Sequence, residues 1–121
     1  VSWGSEMCIR DRALSGATRM GVVAFAKSLS QEVGRDNILV NNVCPGSILS
    51  DRMMSNVTAR ANELGISVED ALGERAEDTA VGRLGEPKEL GNLVGFLASS
   101  KSSYITGTTI LVDGGLVQSV M

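Results

Sequence analysis

The sequence has no histidine. That removes the most frequent metal ligand and the most frequent general base together. It has two cysteines, Cys8 and Cys44, far apart and outside any C-x-x-C pair. Such a pattern offers no zinc site. Cys44 reads as a small buried hydrophobe beside a strand, and a reducing, cytoplasmic setting fits this usage. Aromatic residues are 3% of the chain and the net charge is −3. There is no stacking platform for bases and no basic surface, so nucleic acid is not an expected partner. The longest apolar run, around "MGVVAFA", is too short to cross a bilayer, and no membrane partner is expected. No basic region followed by an apolar one marks a secretory leader.

What is present is ordinary for a folded chain: 121 residues, 43% hydrophobic and 21% charged. That suffices for one compact domain. Residues 1–12, "VSWGSEMCIRDR", show no helical or strand period and hold the sole tryptophan. They resemble the translation of a transposon-end adapter used in sequencing libraries. The expectation is a non-native segment over 1–12, a domain over 13–121, and a natural protein that continued upstream of Ala13.

From Ala13 the pattern is helical. Val22, Ala26, Leu29 and Val33 share one helix face, and Gly34 is a plausible stop. "ILVNNV", Ile38 to Val43, reads as a buried strand that ends at Pro45-Gly46. Met54, Val57, Ala61 and Leu64 again follow helical spacing up to Gly65. Ser67 with Asp70 is a capping-box pattern for a short helix through "VEDALGERA". Glu86-Pro87 opens another helix, with Leu90, Leu93, Val94 and Leu97 as its stripe. "SSKSSYITG" is a connection in which Tyr104 packs, Thr108 to Val112 is a second strand, and "DGG" a terminal turn.

Strands separated by helical crossovers pair in parallel. Both strands read as buried on two faces, yet two strands cannot make a stable parallel sheet alone. The architecture therefore calls for more sheet than the chain supplies.

Three separated stretches, "AKSLSQEVG", "ILVNNVCPGSILSDRM" and "GRLGEPKELGNLVGFLASSKSSYITGTTILVDGG", occur in this order along Ala13 to about Val117. Together they resemble the C-terminal half of the short-chain dehydrogenase/reductase family, nearest its 3-oxoacyl-[acyl-carrier-protein] reductase-like group. The resemblance implies an α/β fold, the C-terminal part of a doubly wound Rossmann-type parallel sheet, here truncated. It implies NAD or NADP as cofactor, with most of that site missing. It also implies hydride transfer to or from a small-molecule carbonyl or acyl-thioester substrate, and a homo-oligomer when the protein is full length.

In that family the segment matching Pro45, Gly46, Ile48 and Ser50 lies against the nicotinamide ring. Each residue type suits the task. Gly46 permits close backbone approach, and Pro45 fixes the turn. Main-chain groups near Ile48 can bond the carboxamide, and the Ser50 hydroxyl can do so or reach the pyrophosphate. A plain strand-to-helix turn with Ser50 as N-cap is the competing reading. The Gly-rich pyrophosphate turn and the catalytic serine of the family fall upstream of this sequence.

The family's catalytic tyrosine and lysine stand four apart on one helix face. Counting back from Lys27 puts Arg19 at the lysine position and Ser15 at the tyrosine position, so "SGATR" replaces Tyr-x-x-x-Lys. Ser15 is a poor proton donor beside a phenol, and Arg19 cannot shuttle a proton at ordinary pH, though it can bond a ribose. First-turn helix residues without a chemical role are an equal reading for both. The segment Arg52 to Val81, with Met53-Met54, suits a mobile apolar cover for substrate or a plain helical insertion. Two functions stay open: an oxidoreductase fragment, inactive alone, or a non-catalytic dinucleotide-binding or scaffold protein of the same fold.

Overall fold

The computed structural model describes residues 3–118. In chain order these form α1 (Trp3–Val33), a 3-10 turn (Gly34–Asp36), β1 (Asn42–Pro45), α2 (Asp51–Leu64), α3 (Val68–Glu77), α4 (Pro87–Leu97), a second 3-10 turn (Ser100–Ser102) and β2 (Thr109–Val112). The expected order of helix, strand, helical excursion, helix, strand is present. β1 and β2 pair in a two-stranded sheet. Asn42 N–H donates to Thr108 O at 2.8 Å, and Gly46 N–H donates to Val112 O at 2.9 Å. The partner number rises with the donor number, so the strands run parallel.

Three local expectations are corrected. The backbone is helical from Trp3, so α1 begins well before Ala13, where the helical pattern of the sequence starts. Once a helix has nucleated, adding residues at its end costs little. β1 starts at Asn42, not Ile38. Val40 N–H bonds the Thr106 hydroxyl at 3.0 Å and Val40 O accepts from Gly107 N–H at 2.7 Å, and the regular strand begins only at Asn42. Neither strand is buried: three of the four β1 residues are intermediate and Pro45 is exposed, while in β2 Leu111 is exposed. Two paired strands leave faces that only further layers would cover.

The chain divides into two compact units. One holds α1, the chain up to Asn42, and Tyr104–Thr109. Its inner helix face is Ala26, Leu29, Ser30 and Val33, whereas Val22 is exposed. Asn41 stitches this unit together. Its amide donates to Ile105 O at 2.8 Å, and its Oδ1 accepts from Thr108 N–H at 3.2 Å and the Thr108 hydroxyl at 2.8 Å. Lys27 Nζ donates to Gly107 O at 3.1 Å. Tyr104 is fully exposed rather than packed.

The other unit holds Val43–Ser103 and the chain from Ile110. Its core is the α2–α3 hairpin, where Val57, Ala61 and Ala71 are buried and Met53, Ile66, Val68 and Leu72 pack on them. The buried α2 stripe runs Met53, Val57, Ala61, so Met54 and Leu64, counted into the stripe from spacing, face outward. Ser67 caps α3 by accepting from Asp70 N–H at 3.0 Å and donating its hydroxyl to Asp70 Oδ2 at 2.6 Å. α4 begins with Pro87 at its first position and buries no residue fully. Cys44 is half-buried.

Candidate functional site

β1 ends at Pro45, and the five residues after it bend the chain into α2. This segment, Gly46 to Ser50, lies at the carboxyl end of a parallel strand, where open α/β sheets bind ligands. It is held from two sides. On one, Gly46 N–H donates to Val112 O. On the other, Gly85 N–H donates to Ser47 O at 3.0 Å and Leu49 N–H to Gly85 O at 2.8 Å, which makes Ile48 and Gly85 a parallel bridge.

The reason for glycine at position 46 lies within the protein. A Cβ there would stand 2.5 Å from Asp113 Cβ and 2.6 Å from Asp113 Cα. Sequence reasoning attributed the bare backbone to an approaching ring, but the neighbouring chain already requires it. Asp113 itself ties down the turn after β2, accepting from Gly115 N–H at 3.0 Å and Val117 N–H at 2.9 Å. Ile48 N–H donates back to Gly46 O at 3.0 Å. The Ile48 carbonyl oxygen, like that of Leu49, is then a main-chain acceptor on this turn open to an amide N–H.

Ser50 is the N-cap of α2. Its Oγ accepts from Met53 N–H at 3.3 Å. The hydroxyl hydrogen is still free to be donated, because capping uses only the lone pairs. Pro45 and Ser50 are exposed, and Gly46 and Ile48 are half-buried. These four residues therefore stand together on one short segment of one unit. Arg19 is an exposed residue of α1, in the other unit. Ser15 lies on α1, and its side chain falls outside the described residues.

A cavity of about 160 Å³ adjoins the segment, with Ile48, Arg83, Gly85, Glu89 and Val112 among its walls. Arg83 and Glu89, absent from the sequence-based site, form a two-pronged ion pair at its edge. Arg83 Nη1 donates to Glu89 Oε2 at 2.8 Å and Nη2 donates to Oε1 at 2.7 Å. The Arg83 hydrogen bonds, with the Glu86 N–H that donates to Glu89 Oε2 at 2.8 Å, hold the Glu89 carboxyl down to about 2. The guanidinium is correspondingly pushed up by Glu89. The only legible signal for this pair was Glu89 at the third position of a proline-led helix, a place that favours a carboxylate. Among the described residues no cluster of acidic, cysteine or histidine side chains could hold a metal, and no helix is long and apolar enough to cross a membrane.

The residues present fit only one end of a nicotinamide dinucleotide. A carbonyl acceptor and a hydroxyl donor on a fixed bend match a carboxamide, which needs one of each. No Gly-rich turn for the pyrophosphate occurs in the sequence.

Comparison with known proteins identifies the family. The family model described as enoyl-(acyl carrier protein) reductase matches residues 1–117. A 3-oxoacyl-[acyl-carrier-protein] reductase of Haemophilus influenzae is 43% identical over 100 residues, which is 83% of this chain and 37% of that protein. A short chain dehydrogenase family protein from Francisella tularensis superposes with a TM-score of 0.80 at 33% identity, over 83% of this chain and 41% of its own. L-sorbose reductase from Gluconobacter frateurii, solved with NADPH and L-sorbose, gives 0.80 at 31% identity, over 86% of this chain and 40% of its own. The chain thus spans about two fifths of the length of the relatives it matches. A parallel β1–β2 pair, its connecting helices and a match across nearly the whole sequence place this chain in the short-chain dehydrogenase/reductase family.

Proposed function

We propose that this chain supplies the nicotinamide end of an NAD(P)-dependent oxidoreductase site, and that preceding sequence in the natural protein supplies the pyrophosphate end. The observation that carries this reading is the anchored bend from Pro45 to Ser50, with its Ile48 carbonyl and Ser50 hydroxyl at the end of a parallel strand. The bound nicotinamide would supply or accept a hydride. The Ile48 carbonyl accepts from the carboxamide N–H, and the Ser50 hydroxyl donates to the carboxamide oxygen or to a phosphate. Pro45 limits the movement of the bend. The substrate is a small carbonyl or alcohol, with a 3-oxoacyl thioester as the specific candidate on the strength of the Haemophilus relative. Oligomerisation into a homo-oligomer and a cytoplasmic location belong to the same proposal, as does residues 1–12 being non-native.

The experiment is a binding comparison on the full-length protein that carries this chain. NAD+ or NADP+ should bind more tightly than ADP-ribose or its 2′-phosphate, which lack the pyridine carboxamide. Equal affinities would remove the role given to the bend. A second reading, binding without catalysis, draws on Ser15 and Arg19 standing where the family pattern has tyrosine and lysine. It predicts the same binding preference with no turnover of carbonyl substrates.

A further inference from the structure

We propose that Arg83 and Glu89 are positioning residues: their ion pair sets the place of the Ile48 carbonyl, and through it the selectivity for a pyridine carboxamide. This rests on the nicotinamide reading of the bend. The bend is fastened to β2 at Gly46, but on its other side only to Gly85, through Ser47 and Leu49. Gly85 sits in a loop between Arg83 and Glu86 that has no regular structure of its own beyond this bridge. The ion pair closes that loop. Arg83 Nη1 also donates to Leu84 O at 3.2 Å, and Glu89 Oε2 also takes the Glu86 N–H. Every residue of the loop on either side of Gly85 is thereby tied to one carboxylate or one guanidinium.

The neighbouring cavity explains why such a fastening matters. It leaves Ile48 and Gly85 without close packing along one side. A loosened loop has room to shift, and the bridge would carry Ile48 with it. The pair is not there for bulk stability. Its side chains are 58% and 39% exposed, and exposed pairs contribute little to folding. A two-pronged contact gives geometry more than energy.

The test uses the full-length protein and its variants Arg83→Ala, Glu89→Ala and Glu89→Gln. Dissociation constants are measured for the oxidised dinucleotide and for the matching ADP-ribose. The expected result is a five- to tenfold loss in the preference for the dinucleotide, about the worth of one neutral hydrogen bond, with ADP-ribose affinity changed less than about twofold. Glu89→Gln keeps an acceptor for the Glu86 N–H and should lose less than Glu89→Ala. Wild-type protein that shows no preference refutes the nicotinamide reading itself. A wild-type preference that survives all three substitutions refutes the positioning role alone. Parallel loss for both ligands also refutes it, because that outcome signals general loosening.

Discussion

Gly46 and Asp113 are packed so closely that a Cβ on Gly46 would stand 2.6 Å from the Asp113 Cα, a main-chain atom that no side-chain rotation can move. The contact joins the end of β1 to the turn after β2. Replacement of Gly46 by alanine should therefore cost about 1–3 kcal/mol, the usual penalty of overpacking. Urea denaturation of Gly46→Ala checks this. A variant as stable as the parent would mean the two segments are not held this tightly.

Gly85 presents a gentler obstacle. A Cβ there would meet the far end of the Ile48 side chain, Cδ1, at 2.6 Å. Ile48→Val removes that atom. Gly85→Ala should destabilise alone, and adding Ile48→Val should recover part of the loss, with a coupling of about 0.5–3 kcal/mol. A double-mutant cycle by thermal or urea unfolding measures it, and strict additivity would contradict the contact.

Ser50 carries both a structural and a proposed binding role, and they separate by substitution. Ser50→Ala loses the cap and should cost about 1 kcal/mol, whereas Ser50→Gly should cost only a few tenths. If the hydroxyl also donates to the cofactor, both variants lose dinucleotide affinity equally. Affinity that follows stability instead would confine Ser50 to capping.

Acid should expose the Arg83–Glu89 pair. The Glu89 carboxyl is lowered to about 2 from 4.5, chiefly by its hydrogen bond from Arg83 and then by the Glu86 N–H. A lowered carboxyl in the folded state means that folding favours the ionised form. Its contribution is complete above the ordinary carboxylate range and disappears as pH falls from about 4.5 towards 2. Arg83 stays cationic throughout, and Glu86 adds a second negative charge beside it. The difference in urea midpoint between wild type and Glu89→Gln should shrink across this window. A constant difference would place the stabilisation elsewhere.

The pair at positions 15 and 19 gives a test of chemistry. Restoring Ser15→Tyr with Arg19→Lys in the full-length protein should raise carbonyl reduction by about 100-fold or more, the scale of general acid catalysis. Unchanged turnover with dinucleotide still bound would place proton transfer on other residues.

Element order was legible because it depends on local chemistry. Pro87 starting α4, Ser67 capping α3 and Gly65 ending α2 act within one turn of the chain. The same holds for the bend at Pro45-Gly46. The strand's start at Asn42 was not legible, since it depends on Val40 reaching Thr106, sixty-six residues on. Nor was the fate of Tyr104, whose exposure follows from what lies beside it in space.

Sequence alone determined the family, the parallel pairing and the segment from Pro45 to Ser50, because motif order, hydrophobic period and turn residues are properties of the chain itself. Only the tertiary structure decided why residue 46 must be glycine, and that the loop closed by Arg83 and Glu89 lies against Ile48. Those facts arise from atoms distant in sequence and a few ångströms apart in space, and steric exclusion and hydrogen bonding act on that second distance.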